Sequence, residues 1–167
     1  MYHALFETQG LDTAKVLVAG GADVNVTLRD NKSLLHEACY KGDTVVAEFL
    51  LSQKIDVHRK ERSTGRNALH VLASIKEGDK TGQLIGLILK QGGRVDEQSD
   101  GTDGFTALHE AASNGNTKAV QALLDGGADT EIKDGMLKRT ALVLASRKDH
   151  GDIVEILKKA AAKRSGK

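Results

Sequence analysis

Apolar residues recur along this chain at helical spacing, in short runs broken by glycine. Leu108, Ala111 and Ala112 mark one face, Gly115 interrupts, and Ala119, Val120, Leu123 and Leu124 mark a second face that Gly126-Gly127 ends. The spacing predicts two short helices. Gly115 closes the first in a left-handed turn and Asn116 caps the second. The pattern recurs elsewhere. Gly42-Asp43 opens Val45, Val46, Phe49, Leu50 and Leu51; Gly10 precedes Ala14, Val16, Leu17 and Val18; Gly151-Asp152 opens Ile153, Val154, Ile156 and Leu157. One helix pair cannot bury both its faces, whereas stacked pairs bury a continuous core.

A small marker, [S/T/N]-x-L-H, fixes the period. It occurs as Ser33-Leu34-Leu35-His36, Asn67-Ala68-Leu69-His70 and Thr106-Ala107-Leu108-His109, with a degenerate copy ending at Val143 and a truncated one at His3. Subtracting the positions of His3, His36, His70, His109 and Val143 gives steps of 33, 34, 39 and 34 residues. The long step has two sources. Gly92 follows His70 by 22 positions where Gly127 follows His109 by 18, an excess within 74–86, and two more residues fall within 97–104. Surface insertion there costs little loop entropy; the alternative is a binding loop.

These units resemble ankyrin repeats, whose marker is written T-P-L-H and whose second helix ends in L-L-x-x-G-A-D-x-N. Thr-Ala-Leu-His at 106–109, Leu-Leu-Asp-Gly-Gly-Ala-Asp at 123–129 and Gly-Gly-Ala-Asp-Val-Asn at 20–25 carry the likeness, which covers almost the whole chain. It implies an all-α solenoid of stacked antiparallel helix pairs with projecting β-hairpin-like turns. The expected organisation is one domain over 1–160, with repeats near 1–27, 28–60, 61–99, 100–133 and 134–160, and a basic tail at 161–167. The chain departs from the family pattern in lacking every marker proline, in Val143, and in the stretched third unit. The resemblance also implies that each marker Ser, Thr or Asn bonds its His and that the His reaches a neighbouring unit's backbone. Val143 cannot do so, which weakens the last junction or replaces the bond with packing.

With 40% hydrophobic but only 3% aromatic residues, the core must be built from Leu, Val, Ile and Ala, which suits many similar thin layers. The formal net charge of +1, from 24 basic and 23 acidic residues, gives no long-range attraction to nucleic acid or membrane. No apolar run approaches the roughly 20 residues that span a bilayer, and the N-terminus lacks a signal-peptide pattern. The single cysteine, Cys39, fits a reducing, intracellular setting, cytoplasmic or nuclear. The start directly inside a repeat reads as a piece of a longer protein.

Catalytic chemistry finds little support, and neither a cofactor nor a metal is expected. His36-Glu37 and His109-Glu110 are half of a zinc-protease motif, but Tyr40 and Ser113 stand where the second histidine is needed. Glu77 to Gly82 lacks the G-K-[S/T] order of a phosphate loop. Cys39 aligns with Ala112 and reads as core.

Function is expected where units differ, and the resemblance to ankyrin-repeat binders implies that these positions lie just before each marker and near each first helix's end. The resulting candidates are Arg29, Lys32, Tyr40, Lys41, Arg66, Ile75, Phe105, Asn114, Arg139 and Arg147, with Glu7, Met136 and Leu137 nearby. The run His58 to Arg66 holds Arg59, Lys60, Arg62 and Arg66 against Glu61, a landing site for an acidic segment or simply a solvated turn. Tyr40, Ile75, Phe105, Met136 and Leu137 are the expected exposed apolar anchors. The favoured function is a non-catalytic module, monomeric, that docks a protein or peptide on its concave surface, with an acidic segment as the candidate ligand of its basic turns. The alternatives are a regulatory or substrate-recruiting domain of a larger enzyme and a nucleic-acid-binding domain.

Overall fold

The computed structural model of the chain describes residues 10–75 and 80–165. His3, Glu7, the first unit's leading helix, residues 76–79 of the insertion and residues 166–167 of the tail lie outside the described residues.

Nine α-helices occur among the described residues: α1 Gly10–Ala19, α2 Leu34–Lys41, α3 Thr44–Ser52, α4 Ala68–Ser74, α5 Thr81–Lys90, α6 Ala107–Asn114, α7 Thr117–Asp125, α8 Ala141–Arg147 and α9 Gly151–Ser165. The pairs α2/α3, α4/α5, α6/α7 and α8/α9 each pack together. The leading helices α2, α4, α6 and α8 stack in one layer, and the trailing helices α3, α5, α7 and α9 in another. This is the all-α solenoid that the sequence implies.

The marker starts each leading helix by a single device. Ser33, Asn67 and Thr106 hold extended backbone, and each side chain accepts the amide of the histidine three residues on. That histidine's Nδ1 accepts the cap residue's own amide, at 3.2 Å from Ser33, 3.3 Å from Asn67 and 3.2 Å from Thr106. An Nδ1 that accepts leaves the proton on Nε2. Nε2 then donates to the next turn: His36 to the Arg66 carbonyl at 3.1 Å, His70 to Phe105 at 2.9 Å, His109 to Arg139 at 3.0 Å. All three rings are buried and bonded at both nitrogens, so they belong to the framework.

Gly42 and Gly115 close α2 and α6 in the left-handed region, and Asp43 and Asn116 cap α3 and α7. The Asn116 amide also reaches back to the carbonyls of Leu72 (3.4 Å) and Ile75 (3.1 Å), which links the sixth and seventh helices to the end of α4. At the insertion α4 ends on extended Ile75, and α5 begins after Lys80 without a side-chain cap.

One apolar cluster runs through the stack, built from Leu, Ile, Val and Ala, and it includes Cys39. Burial pushes the Cys39 thiol up to about 12, so it is a core residue. Several positions expected on apolar faces are exposed instead, Leu17 of α1 among them. Val16 sits on the side of α1 opposite Ala14, and Val45 lies just off the face that carries Val46, Ala47, Leu50 and Leu51. Val143 is also exposed, and Thr140 makes no side-chain cap bond, so packing does not replace the lost histidine bond.

Candidate partner-binding face

Four hairpin-like turns precede the leading helices, each closed by a backbone bond: Leu28 N–H to Lys32 O (2.9 Å), Glu61 to Arg66 (2.9 Å), Ser99 to Phe105 (2.8 Å) and Asp134 to Arg139 (2.8 Å). Neighbouring turns pair as well. The Arg62 amide donates to the Asp30 carbonyl at 2.8 Å and the Gly135 amide to Asp103 at 2.7 Å. Between the second and third turns the chains approach differently. Gly65 has φ +65°, and a Cβ there would lie 2.1 Å from the Asp100 nitrogen, so only glycine permits the contact.

Buried carboxylates hold the turns in place. Glu61 accepts the Tyr40 hydroxyl (2.6 Å) and the Thr64 hydroxyl (2.5 Å), and lies 3.6 Å from Lys32 Nζ, which sits 4.6 Å from the centre of the Tyr40 ring. Burial alone would raise the Glu61 carboxyl; the two hydroxyls and Lys32 outweigh it and hold it below the usual range. Burial and the neighbouring Glu61 push the Tyr40 phenol up. Asp134, fully buried, accepts the amides of Leu137 (2.9 Å) and Arg139 (3.2 Å) and pairs with Arg139 Nε at 2.6 Å.

Arg66 Nη2 donates to the His70 carbonyl at 3.1 Å, and its Nε stands 3.3 Å from Glu110 Oε1, an ion pair by distance without hydrogen-bond alignment. Burial lifts the Glu110 carboxyl above its ordinary range; Arg66 opposes that and Asp103 adds to it.

The basic run His58–Arg66 is thus not a freely solvated patch. Arg59 bonds the Thr27 hydroxyl and the Asn25 carbonyl, and Lys60 meets Glu97 (2.8 Å), Asp100 (2.9 Å) and the Gln98 carbonyl (3.0 Å). With Arg66 also engaged, Arg62 remains as the exposed cation of the run. Glu61, its lone acid, is the buried anchor.

The ten candidate residues divide accordingly. Arg29, Asn114 and Arg147 are exposed, and the Asn114 side-chain amide donates back to Glu110 of its own helix, at 2.8 Å to the carbonyl and 3.5 Å to the carboxylate. Lys41 is exposed beside Glu37 at 4.0 Å, and Tyr40 keeps 40% of its surface. Lys32, Arg66 and Arg139 are engaged with Glu61, Glu110 and Asp134. Two expected apolar anchors are not fully exposed. Ile75 is half-buried against the core, and Phe105 stacks on His109 with ring centres 5.6 Å apart. Met136 and Leu137, at 56% and 55% exposure, are open as expected. The sequence reading did not single out Asp134 or Glu110 as supports; the only available signal was an acid placed within a turn or directly after a marker histidine.

Paired helices, marker-capped starts and hairpin-like turns define a helical repeat protein. Residues 1–76 and 71–165 match the family described as ankyrin repeats (3 copies), and the chain belongs to the ankyrin-repeat family. Ankyrin repeats generally mediate protein–protein interaction. The chain is 26% identical to the nuclear factor NF-kappa-B p105 subunit of Gallus gallus, over 79% of this chain and 17% of that protein. It is 28% identical to the putative ankyrin repeat protein FPV031 of fowlpox virus, over 79% of this chain and 38% of the relative. It is 33% identical to the E3 ubiquitin-protein ligase XBAT33 of Arabidopsis thaliana, over 66% of this chain and 26% of the relative. The chain thus spans well under half the length of these relatives. Among the described residues no helix is long and apolar enough to cross a membrane.

Proposed function

We propose that this chain is a non-catalytic docking module that receives a partner protein or peptide on the face made by its turns and leading helices. One observation carries the reading: buried Glu61 and Asp134 fix that face from beneath while Met136 and Leu137 stand more than half exposed on it. A rigid surface loses little entropy on binding, and large exposed apolar side chains supply the contact area. Exposed Arg29, Arg62 and Arg147 suit an acidic partner segment. We read the module as intracellular, in keeping with its single buried thiol. A second reading, that it recruits or regulates within a larger enzyme, is favoured by the short share of the ligase XBAT33 that it matches.

The test is affinity capture with wild type and with the double variant Met136→Ser, Leu137→Ser. The variant should keep the wild-type melting temperature and lose the captured partner. Equal recovery of the same partner by both proteins would remove these residues from the docking face.

A further inference from the structure

The trailing layer carries a second surface of different character. α7 stops at Asp125 before Gly126-Gly127, but α9 meets no such stop after Leu157 and continues to Ser165 beside the loop that follows α7. Ile156, Lys159, Ala160 and Lys163 lie at i, i+3, i+4 and i+7, so they share one face of α9. Opposite them stand Leu124 and Ala128, and the two walls enclose a groove of ≈ 560 Å³.

The charges on its rim are not balanced. Lys158 pairs with Glu155 at 3.1 Å, outside the groove, and Arg164 closes one end by pairing with Asp129 at 3.2 Å and donating to the Ala128 carbonyl at 3.1 Å. Lys159 and Lys163 are exposed and have no ion-pair partner among the described residues. Asp125, the acid of the lining, already accepts the Gln121 amide at 3.1 Å. The neighbouring groove between α5 and α7 is lined by one lysine, Lys90, and one acid, Asp125, beside Gly82 and Gly86, so its lining carries no such surplus.

We propose that the α7/α9 groove docks an acidic amphipathic segment of a partner protein. Its apolar side chains lie on Leu124, Ala128, Ile156 and Ala160, and its carboxylates meet Lys159 and Lys163. Lysines one helical turn apart match carboxylates at the same spacing on a partner helix. The apolar floor selects such a segment over a purely charged ligand. The site lies on the trailing helices and the loop directly after α7, apart from the hairpin-like turns, and is independent of the docking face proposed above.

The test uses the full chain and a synthetic peptide of three Glu-Leu-Leu-Glu repeats, followed by amide chemical shifts in a titration. Shifts are expected at Leu124, Ala128, Ile156 and Ala160. The double variant K159E/K163E, altered only at exposed positions, should keep its circular dichroism melt and bind the peptide at least about tenfold more weakly. Shifts elsewhere only, or unchanged affinity in the variant, would overturn the proposal. So would a single-stranded oligonucleotide of equal charge that binds the groove as tightly, because the site would then read charge alone. Peptide shifts confined to the turns would sink the groove and leave the docking face standing.

Discussion

At the scale of single residues, the three marker histidines are not equivalent. In His36 and His109 the accepting Nδ1 faces a hydroxyl, Ser33 or Thr106 at 2.8 Å, and a hydroxyl can donate to it. In His70 it faces the Asn67 carbonyl oxygen at 2.7 Å, and that oxygen already accepts the amides of Leu69 and His70. The neutral ring therefore brings two acceptors together. Asn67→Thr supplies the missing donor and should stabilise the fold by about 1 kcal/mol in urea melts. A loss of stability would mean that His70 Nδ1 carries a proton. Acid should also act through these rings. Burial lowers His36 and His109, and takes His70 from 6.5 to about 4. Between those values the unfolded chain binds more protons, so the stability from His70 is complete above about 6.5 and falls as pH drops toward 4. Glu110, with its raised carboxyl, acts in the opposite sense. The three histidines outnumber it, each acting by at most roughly 1.4 kcal/mol per pH unit. The urea midpoint should therefore fall from pH 7 to pH 5; a flat profile would contradict neutral buried rings. The sequence shows the marker, but not that the asparagine copy carries this defect, because that depends on which ring nitrogen accepts.

At the scale of elements, the turns rather than the helices distinguish one unit from the next. Gly42 and Gly65 both have φ +65°, but a Cβ on Gly42 meets nothing within 4 Å while one on Gly65 strikes the Asp100 backbone. Gly42→Ala should cost only the left-handed penalty, roughly 1–2 kcal/mol. Gly65→Ala should cost clearly more, and equal urea midpoints for the two variants would show that the second and third turns are not in close contact. Helix positions were legible because apolar period and glycine stops are local signals. The turn chemistry was hidden. Arg59, Lys60 and Arg66 read as one basic run, yet each also reaches a partner in another unit, Thr27 for Arg59, Glu97 for Lys60 and Glu110 for Arg66, which no local pattern announces.

At the scale of the whole molecule, near-identical pairs stack through one continuous aliphatic core and leave two unlike surfaces, one of turns and leading helices and one of trailing helices. The repeat period makes that architecture readable from sequence. It does not reveal which face residues are engaged, because Phe105 and Ile75 differ from Met136 and Leu137 only in what packs over them. Hydrogen–deuterium exchange on the chain, free and bound to its captured partner, probes the docking claim most directly. Protection is expected in the turns at 29–32, 61–66, 99–105 and 134–139 and in α2, α4, α6 and α8. Protection confined to α3, α5, α7 and α9 would contradict it.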